Sequence, residues 1–255
     1  MPEYLLHDPQ SLSELLITCE HATNRLPFRR GVGRIQRRIL DSHWGWDVGA
    51  WELSVDLARQ LGAGAIGGRW SRLLLDLNRR ADDPTLLRQW AGDVELPWNV
   101  GLAPADVERR VTDYHTPYHV ELDRLILRRL VRGVRPLLFA VHSFTPCLNG
   151  RERGFEIGVL YEHHPGPAHR LGRALREAGL SVRYNRPYSG MAGMMYAVDR
   201  HGSHHGLTCI ELEVNHEILR SAAAVRRLGK VVAAAVRELL RHQENRPRAR
   251  PGAPR

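Results

Sequence analysis

Lysine is almost absent from this chain: Lys230 is the only one, so arginine supplies nearly all of a formal net charge of +9. No stretch interleaves aromatic with basic residues in the manner of RNA-binding motifs, so the charge argues for compositional bias rather than a nucleic-acid partner. A basic surface still favours small anionic substrates by steering. Cysteine is scarce as well. Cys19, Cys147 and Cys209 form neither an even set nor a CxxC pair, which excludes a disulfide framework and fits a reducing compartment. No segment approaches the ~18 uninterrupted apolar residues that a bilayer span requires. The opening MPEYLLHDPQSL lacks the charged-then-apolar order of a signal peptide. A cytoplasmic location without membrane attachment is expected.

At 255 residues the length suits one α/β unit. We expect a catalytic domain over 1–242 and a flexible Pro/Arg-rich tail over 243–255, whose composition argues against packing. Short apolar runs at 15–19, 70–77, 137–141, 154–161 and 207–214 read as strands. Helices are expected over 40–60, over 105–132 with a break at Pro117, over 167–178 and over 218–242. Gly62 and Gly64 read as the end of the first helix. Segments 81–102 and 184–202 show turn signals without a clean period and read as loops over a site. Strands alternating with helices predict a mostly parallel α/β sheet, whose ligands collect beyond the carboxyl ends of the strands. Four expected strand ends carry Glu20-His21, Asn78-Arg79, His142-Ser143 and Glu213.

Those residue types share one chemistry. Two neutral imidazoles and a carboxylate form a common catalytic zinc set that leaves a position for water. His21 and His142 are the candidate imidazoles. The third ligand stays open on spacing alone. Asp47 lies one helical turn after His43, whereas Glu20 adjoins His21, and strand neighbours point to opposite faces. Along the last strand, Cys209, Glu211 and Glu213 share one face while Ile210, Leu212 and Val214 share the other. Carboxylates on such a strand need a partner or a metal. Glu213 placed there can move a proton between water and a leaving nitrogen. Alternation in 70–77 sets Arg72 on the side of Asp76 and Asn78, and an arginine in a dry site can hold an oxyanion. Asn78 and Arg79 are candidates for gripping a substrate carboxylate. The remaining histidines read as bland: His163, His164, His201, His204 and His205 as solvated loop residues, and His115 and His119 as packing around Pro117.

The run Ser71-Arg72-Leu73-Leu74-Leu75-Asp76-Leu77-Asn78-Arg79 resembles the signature of the N-formylglutamate amidohydrolase family and, more distantly, the DLNR segment of aspartoacylases and zinc carboxypeptidase-like enzymes. CEHATNRLP, WDVGAWEL, VHSFTP, NRPYSGM and IELEVN follow the family's order, so the resemblance covers about residues 14–220. It implies a three-layer α/β/α fold with a mostly parallel mixed sheet, like the zinc carboxypeptidases. It also implies a zinc-dependent amidohydrolase that cleaves an N-formyl or other N-acyl amino acid, with one Zn2+ or another divalent metal per chain. By resemblance His21, Asp47 and His142 are the metal ligands, and Glu213 and Arg72 are catalytic. Asn78, Arg79, Asn185 and Gly190 are then substrate-binding. The chain departs from the pattern at Asn24, where related enzymes carry glutamate, at CEHA in place of PHSG, at Glu211 in place of glutamine, and at Tyr188-Ser189-Gly190. A carboxypeptidase or larger-acyl deacylase is the alternative enzyme, and a basic nucleic-acid-binding protein the alternative of another class.

Overall fold

The computed structural model describes residues 1–244, so the expected tail lies, from residue 245 onward, outside the described residues. One seven-stranded sheet organises the rest. In chain order its strands are β1 (Tyr4–His7), β2 (Leu15–Cys19), β3 (Gly64–Gly68), β4 (Leu137–Phe144), β5 (Ile157–Leu160), β6 (Val182–Tyr184) and β7 (Cys209–Asn215). They lie in the order β1-β3-β2-β4-β7-β5-β6. The central block β3-β2-β4-β7 is parallel, β1 runs antiparallel to β3, and β5 runs antiparallel to β7.

The period-two alternation of the buried strands builds two cores. Leu15, Ile17, Phe139, Val141, Ile210 and Leu212 face α1 (Ala50–Leu61), α3 (Pro165–Glu177) and α5 (Ala222–Glu244). Leu16, Leu138, Ala140 and Cys209 face α2 (Thr116–Leu130) and α4 (Tyr196–His205). Helices therefore cover both faces, giving the three-layer α/β/α arrangement expected from the sequence.

One strand is misplaced in the sequence reading. Residues 70–77 are not a strand; the strand that follows β2 in the parallel block is Gly64–Gly68. Gly62 does end α1, as its left-handed C-cap residue, but Gly64 opens β3, where neighbours come too close for side chains. A Cβ on Gly67 would lie 2.7 Å from the Trp51 ring, and one on Gly68 would lie 2.0 Å from the Glu20 carbonyl oxygen. The 70–77 run folds as turns instead. The Ser71 hydroxyl accepts from Leu73 N and donates to Gly45 O, and Asp76 Oδ1 accepts from Asn78 N. Such side-chain bonds compete with a ladder for the backbone.

Other boundaries shift as well. The expected 40–60 helix is two pieces, Arg34–Leu40 and α1, with a turn between them. The expected 184–202 loop becomes helical from Tyr196. In the 105–132 helix, Pro117 sits in the first turn of α2, after a widened π turn over Val111–His115.

Gly68→Ala should destabilise the fold by ~1–3 kcal/mol, the cost of overpacking, because its Cβ would push directly on the Glu20 backbone. Denaturant midpoints at constant m measure this, and a loss below about 0.5 kcal/mol would contradict the close approach.

Candidate active site

The carboxyl ends of β2, β4 and β7 converge on one buried cluster. Register carries two of its members: Glu213 on β7 lies directly opposite His142 on β4, and Glu211 lies opposite Ala140 one row below. β2 stops at Cys19, and the turn that follows brings both Glu20 and His21 to His142. Alternation does not separate them, because it ends with the strand.

His142 is the hub. Its Nδ1 lies 2.7 Å from Asp47 Oδ2 and its Nε2 lies 2.9 Å from Glu20 Oε2. Glu211 Oε2 is 3.7 Å from that same Nε2. The His21 ring stands edge-on to His142, with centroids 4.9 Å apart. Its Nε2 bonds Asp76 Oδ1 at 2.7 Å, while its Nδ1 faces Asp47 Oδ2 at 3.4 Å without a hydrogen bond. Asp47 sits on the turn before α1, where its backbone N–H donates to His21 O and its carboxylate pairs with Arg72. His21, Asp47 and His142 thus present ligand atoms that all lie within 4.8 Å of one another. His43, by contrast, stands on the cavity wall outside that trio.

The charge balance is unusual. Glu20, Asp47, Asp76, Glu211 and Glu213 are all buried here. Burial raises Glu211 to about 7 and Glu213 to about 8, eased only partly by His142. Burial acts on Glu20 too, but hydrogen bonds from His142 and Tyr118 outweigh it and hold that carboxyl at about 2. Asp76 stays well below the usual carboxylate range because His21, Arg79 and Arg72 overcome its burial. Burial and the Arg72 charge press His21 down to about 3. Burial opposes a charge on His142 as well, yet Glu211, Glu20 and Glu213 lift it to about 10. Buried Oε2 atoms of Glu211 and Glu213 and Nδ1 of His21 have no hydrogen-bond partner. Two imidazoles and a carboxylate, with the partnerless His21 Nδ1 among them and two unsatisfied glutamates beside them, fit the donor set of a divalent cation.

Above the cluster lies a cavity of about 180 Å³, walled by Trp44, Phe144, Tyr188 and Met194 with Arg79 and Arg88 at its polar side. Arg79 is held by the Asn78 carbonyl and the Thr85 hydroxyl rather than by a carboxylate. The Asn78 amide spans Met194 O and Ala197 N, so it ties the cavity floor to the start of α4. Asn185 and Gly190 do not line the cavity. Asn185 Oδ1 accepts from the backbone N–H groups of Tyr161 and Gly190, shaping the loop that delivers Tyr188. Asp76 has no role in the sequence reading, and Glu20 enters it only as an alternative third ligand. The even spacing of Arg72, Asp76 and Asn78 drew attention to Asp76, but nothing local linked it to His21.

Imidazoles and carboxylates gathered at the carboxyl ends of a parallel sheet, under a small cavity edged with arginine, define an α/β protein with one buried cluster of titratable groups. The sequence model described as N-formylglutamate amidohydrolase matches residues 13–220, and the chain belongs to that family. It is similar to N-formylglutamate deformylase of Pseudomonas putida, at 32% identity over 165 residues, 57% of this chain and 59% of that protein. The Pseudomonas aeruginosa deformylase is 29% identical over 161 residues, with the same shares. The chain thus spans about three-fifths of the length of the curated relatives it matches. A solved gene product of Agrobacterium tumefaciens superposes with a TM-score of 0.91 at 25% identity, covering 96% of this chain and 97% of the other. An N-formylglutamate amidohydrolase from Ralstonia eutropha shares the fold, with a TM-score of 0.73 at 19% identity over 95% of this chain and 100% of that one.

Raised folded pKa values on Glu211 and Glu213 mean stability lost as pH climbs from the unfolded carboxyl value through 7 and 8. The raised value on His142 adds a loss that starts above the unfolded imidazole value of about 6.5. Chelator-treated protein should therefore be less stable at about pH 8 than at about pH 7. That window lies above the unfolded imidazole value, so buried neutral histidines such as His21 contribute little to it. A Glu211→Gln, Glu213→Gln double variant should show a shallower fall. Denaturant midpoints at the two pH values decide it; a rise towards pH 8 would contradict the charge assignment.

Proposed function

We propose that this protein is a metal-dependent amidohydrolase that cleaves N-formylglutamate or a similar N-acyl amino acid to a free acid and an amine. The observation that carries the proposal is the convergence of His21, Asp47 and His142 directly beneath a cavity edged by Arg79. Family membership and the names of the curated relatives point to the same substrate class. The cavity volume of about 180 Å³ is below the ~300 Å³ typical of drug-sized pockets, which favours a small acyl group over a large one.

His21, Asp47 and His142 would hold one divalent cation, zinc by the chemistry of the donor set. When bound, it supplies Lewis acidity and lowers the pKa of a water towards about 7. The remaining steps belong to the chain. Glu213, raised by burial, takes a proton from the attacking water as the new C–O bond forms at the acyl carbon. It returns that proton to the departing nitrogen as the C–N bond breaks, so the amine leaves neutral. Arg72, beside Asp47, faces the developing oxyanion. Arg79 grips the substrate carboxylate, with Asn78 fixing the segment that presents it. Asp76 sets the His21 ring by accepting at Nε2, which leaves Nδ1 free to ligate. Asn185 and Gly190 act on substrate through the placement of Tyr188. Residues 1–242 serve as one catalytic unit in this reading, working in the cytoplasm.

A panel of N-formyl and N-acetyl amino acids tests the proposal. Turnover should disappear with chelator and return with zinc. Glu213→Gln should lower kcat by about 10²–10⁴, the range of general acid–base contributions, while metal content is spared. Arg79→Ala should raise KM for carboxylated substrates with a smaller change in kcat. Normal turnover in Glu213→Gln, or an unchanged KM in Arg79→Ala, would refute the corresponding role.

A further inference from the structure

Beneath the cavity floor lies a chain of hydrogen-bonded histidines that the proposed chemistry does not use. His115, His119 and Asp123 come from one face of the helix leading into and through α2; His201 and His205 come from α4. Four of these groups connect in series. His119 Nε2 lies 3.2 Å from Leu77 O, His119 Nδ1 lies 2.8 Å from His201 Nε2, and His201 Nδ1 lies 2.7 Å from Asp123 Oδ1. His205 Nε2 joins at Asp123 Oδ1, 2.9 Å away, and His115 Nε2 lies 2.9 Å from Arg79 O. His115, His119 and His201 are almost wholly buried.

Leu77 O and Arg79 O bracket the residues that face the site: Asp76 just before them, Asn78 between them and Arg79 itself. The backbone is irregular there, so no sheet ladder fixes it. The local geometry is also costly, since the helix widens to a π turn over Val111–His115, the kind of bulge found often at functional sites. Pro117 lacks the N–H that an ordinary turn needs, and the widened turn ends on the histidine that bonds Arg79 O.

The carbonyl at one end and the carboxylate at the other only accept, so three bonds need three protons, yet two neutral imidazoles carry two. Both rings are drawn towards neutrality by burial, and Arg200 adds to that on each, as His115 does on His119. Asp123 pulls the other way on His201, with a smaller pull from Glu20. His205 shares Asp123, and Tyr118 and Tyr196 present ring edges to His119. A complete chain therefore holds one extra proton, offset by Asp123.

We infer that His119, His201 and His115 are positioning residues that clamp the Asp76–Arg79 segment from below, through a chain whose full bonding requires one imidazolium paired with Asp123. The inference rests on the proposed anchor role of Arg79 for its kinetic consequence, whereas the structural readouts stand without it.

Two measurements test it. In wild-type protein, long-range 1H–15N spectra of the imidazoles at about pH 7 should show one doubly protonated ring between His119 and His201. Two neutral rings would break the chain and overturn the proposal, and no variant is needed. Second, amide hydrogen exchange at Asn78 and Arg79 should accelerate about tenfold in His119→Leu, the scale of losing one buried hydrogen bond that opposes local opening. His119→Gln, whose amide can donate to Leu77 O and accept from His201, should exchange like wild type. Wild-type exchange in a folded His119→Leu protein would overturn the clamp. KM for a carboxylated substrate should follow the exchange, rising in His119→Leu and recovering in His119→Gln. Faster exchange with an unchanged KM would support the clamp while removing the anchor role of Arg79.

Discussion

Carboxylates are the groups a protein can least easily bury, and this fold buries five of them around two imidazoles at the ends of three parallel strands. That electrostatic demand organises the centre of the molecule. His142 satisfies Asp47 with one ring nitrogen and Glu20 with the other, and its position opposite Glu213 is fixed by the β4–β7 register. Tyr118 caps Glu20, Arg72 pairs with Asp47 and His21 takes up Asp76. Several acceptors still lack partners, and a divalent cation between His21, Asp47 and His142 would bring the balance closer to neutral. Removing one partner from such a cluster leaves uncompensated buried charge, which is why its parts behave as a unit.

The surrounding structure serves that cluster. β3 is almost all glycine and alanine because the Glu20 turn and Trp51 press against it. The segment after β3 abandons the sheet so that Arg72, Asp76 and Arg79 can address the site from different directions. A turn can do this where an alternating strand would offer only two faces. The buried histidines beneath that segment replace the ladder it has given up.

Much of this was legible in the residues. Alternation in 209–215 sets Glu211 and Glu213 on one face, and the observed register places Glu213 opposite His142 with Glu211 one row below. The α/β class followed from apolar runs between amphipathic stretches, and the family followed from motifs in order. What failed has a common cause. Leu73, Leu74, Leu75 and Leu77 look like a strand because they are apolar. They are buried in different cores, Leu73 in one and the others in another, by a chain that turns. Gly64 looks like a break because the sequence does not show the neighbours that exclude a side chain there. Glu20 looked misdirected because alternation was extended one residue past the strand. His115, His119 and His201 looked solvated or merely packed because their partners lie 36 to 82 residues away.

The central claim is that the buried cluster is a binding site for one divalent cation. Titrating zinc into chelator-treated wild-type protein and into His142→Ala, with calorimetry and elemental analysis after desalting, tests it most directly. The account predicts about one tightly held zinc per wild-type chain and a large loss of affinity in His142→Ala, with binding releasing protons from the cluster. Wild-type protein that retains no zinc, or His142→Ala that binds it as tightly as wild type, would contradict the account.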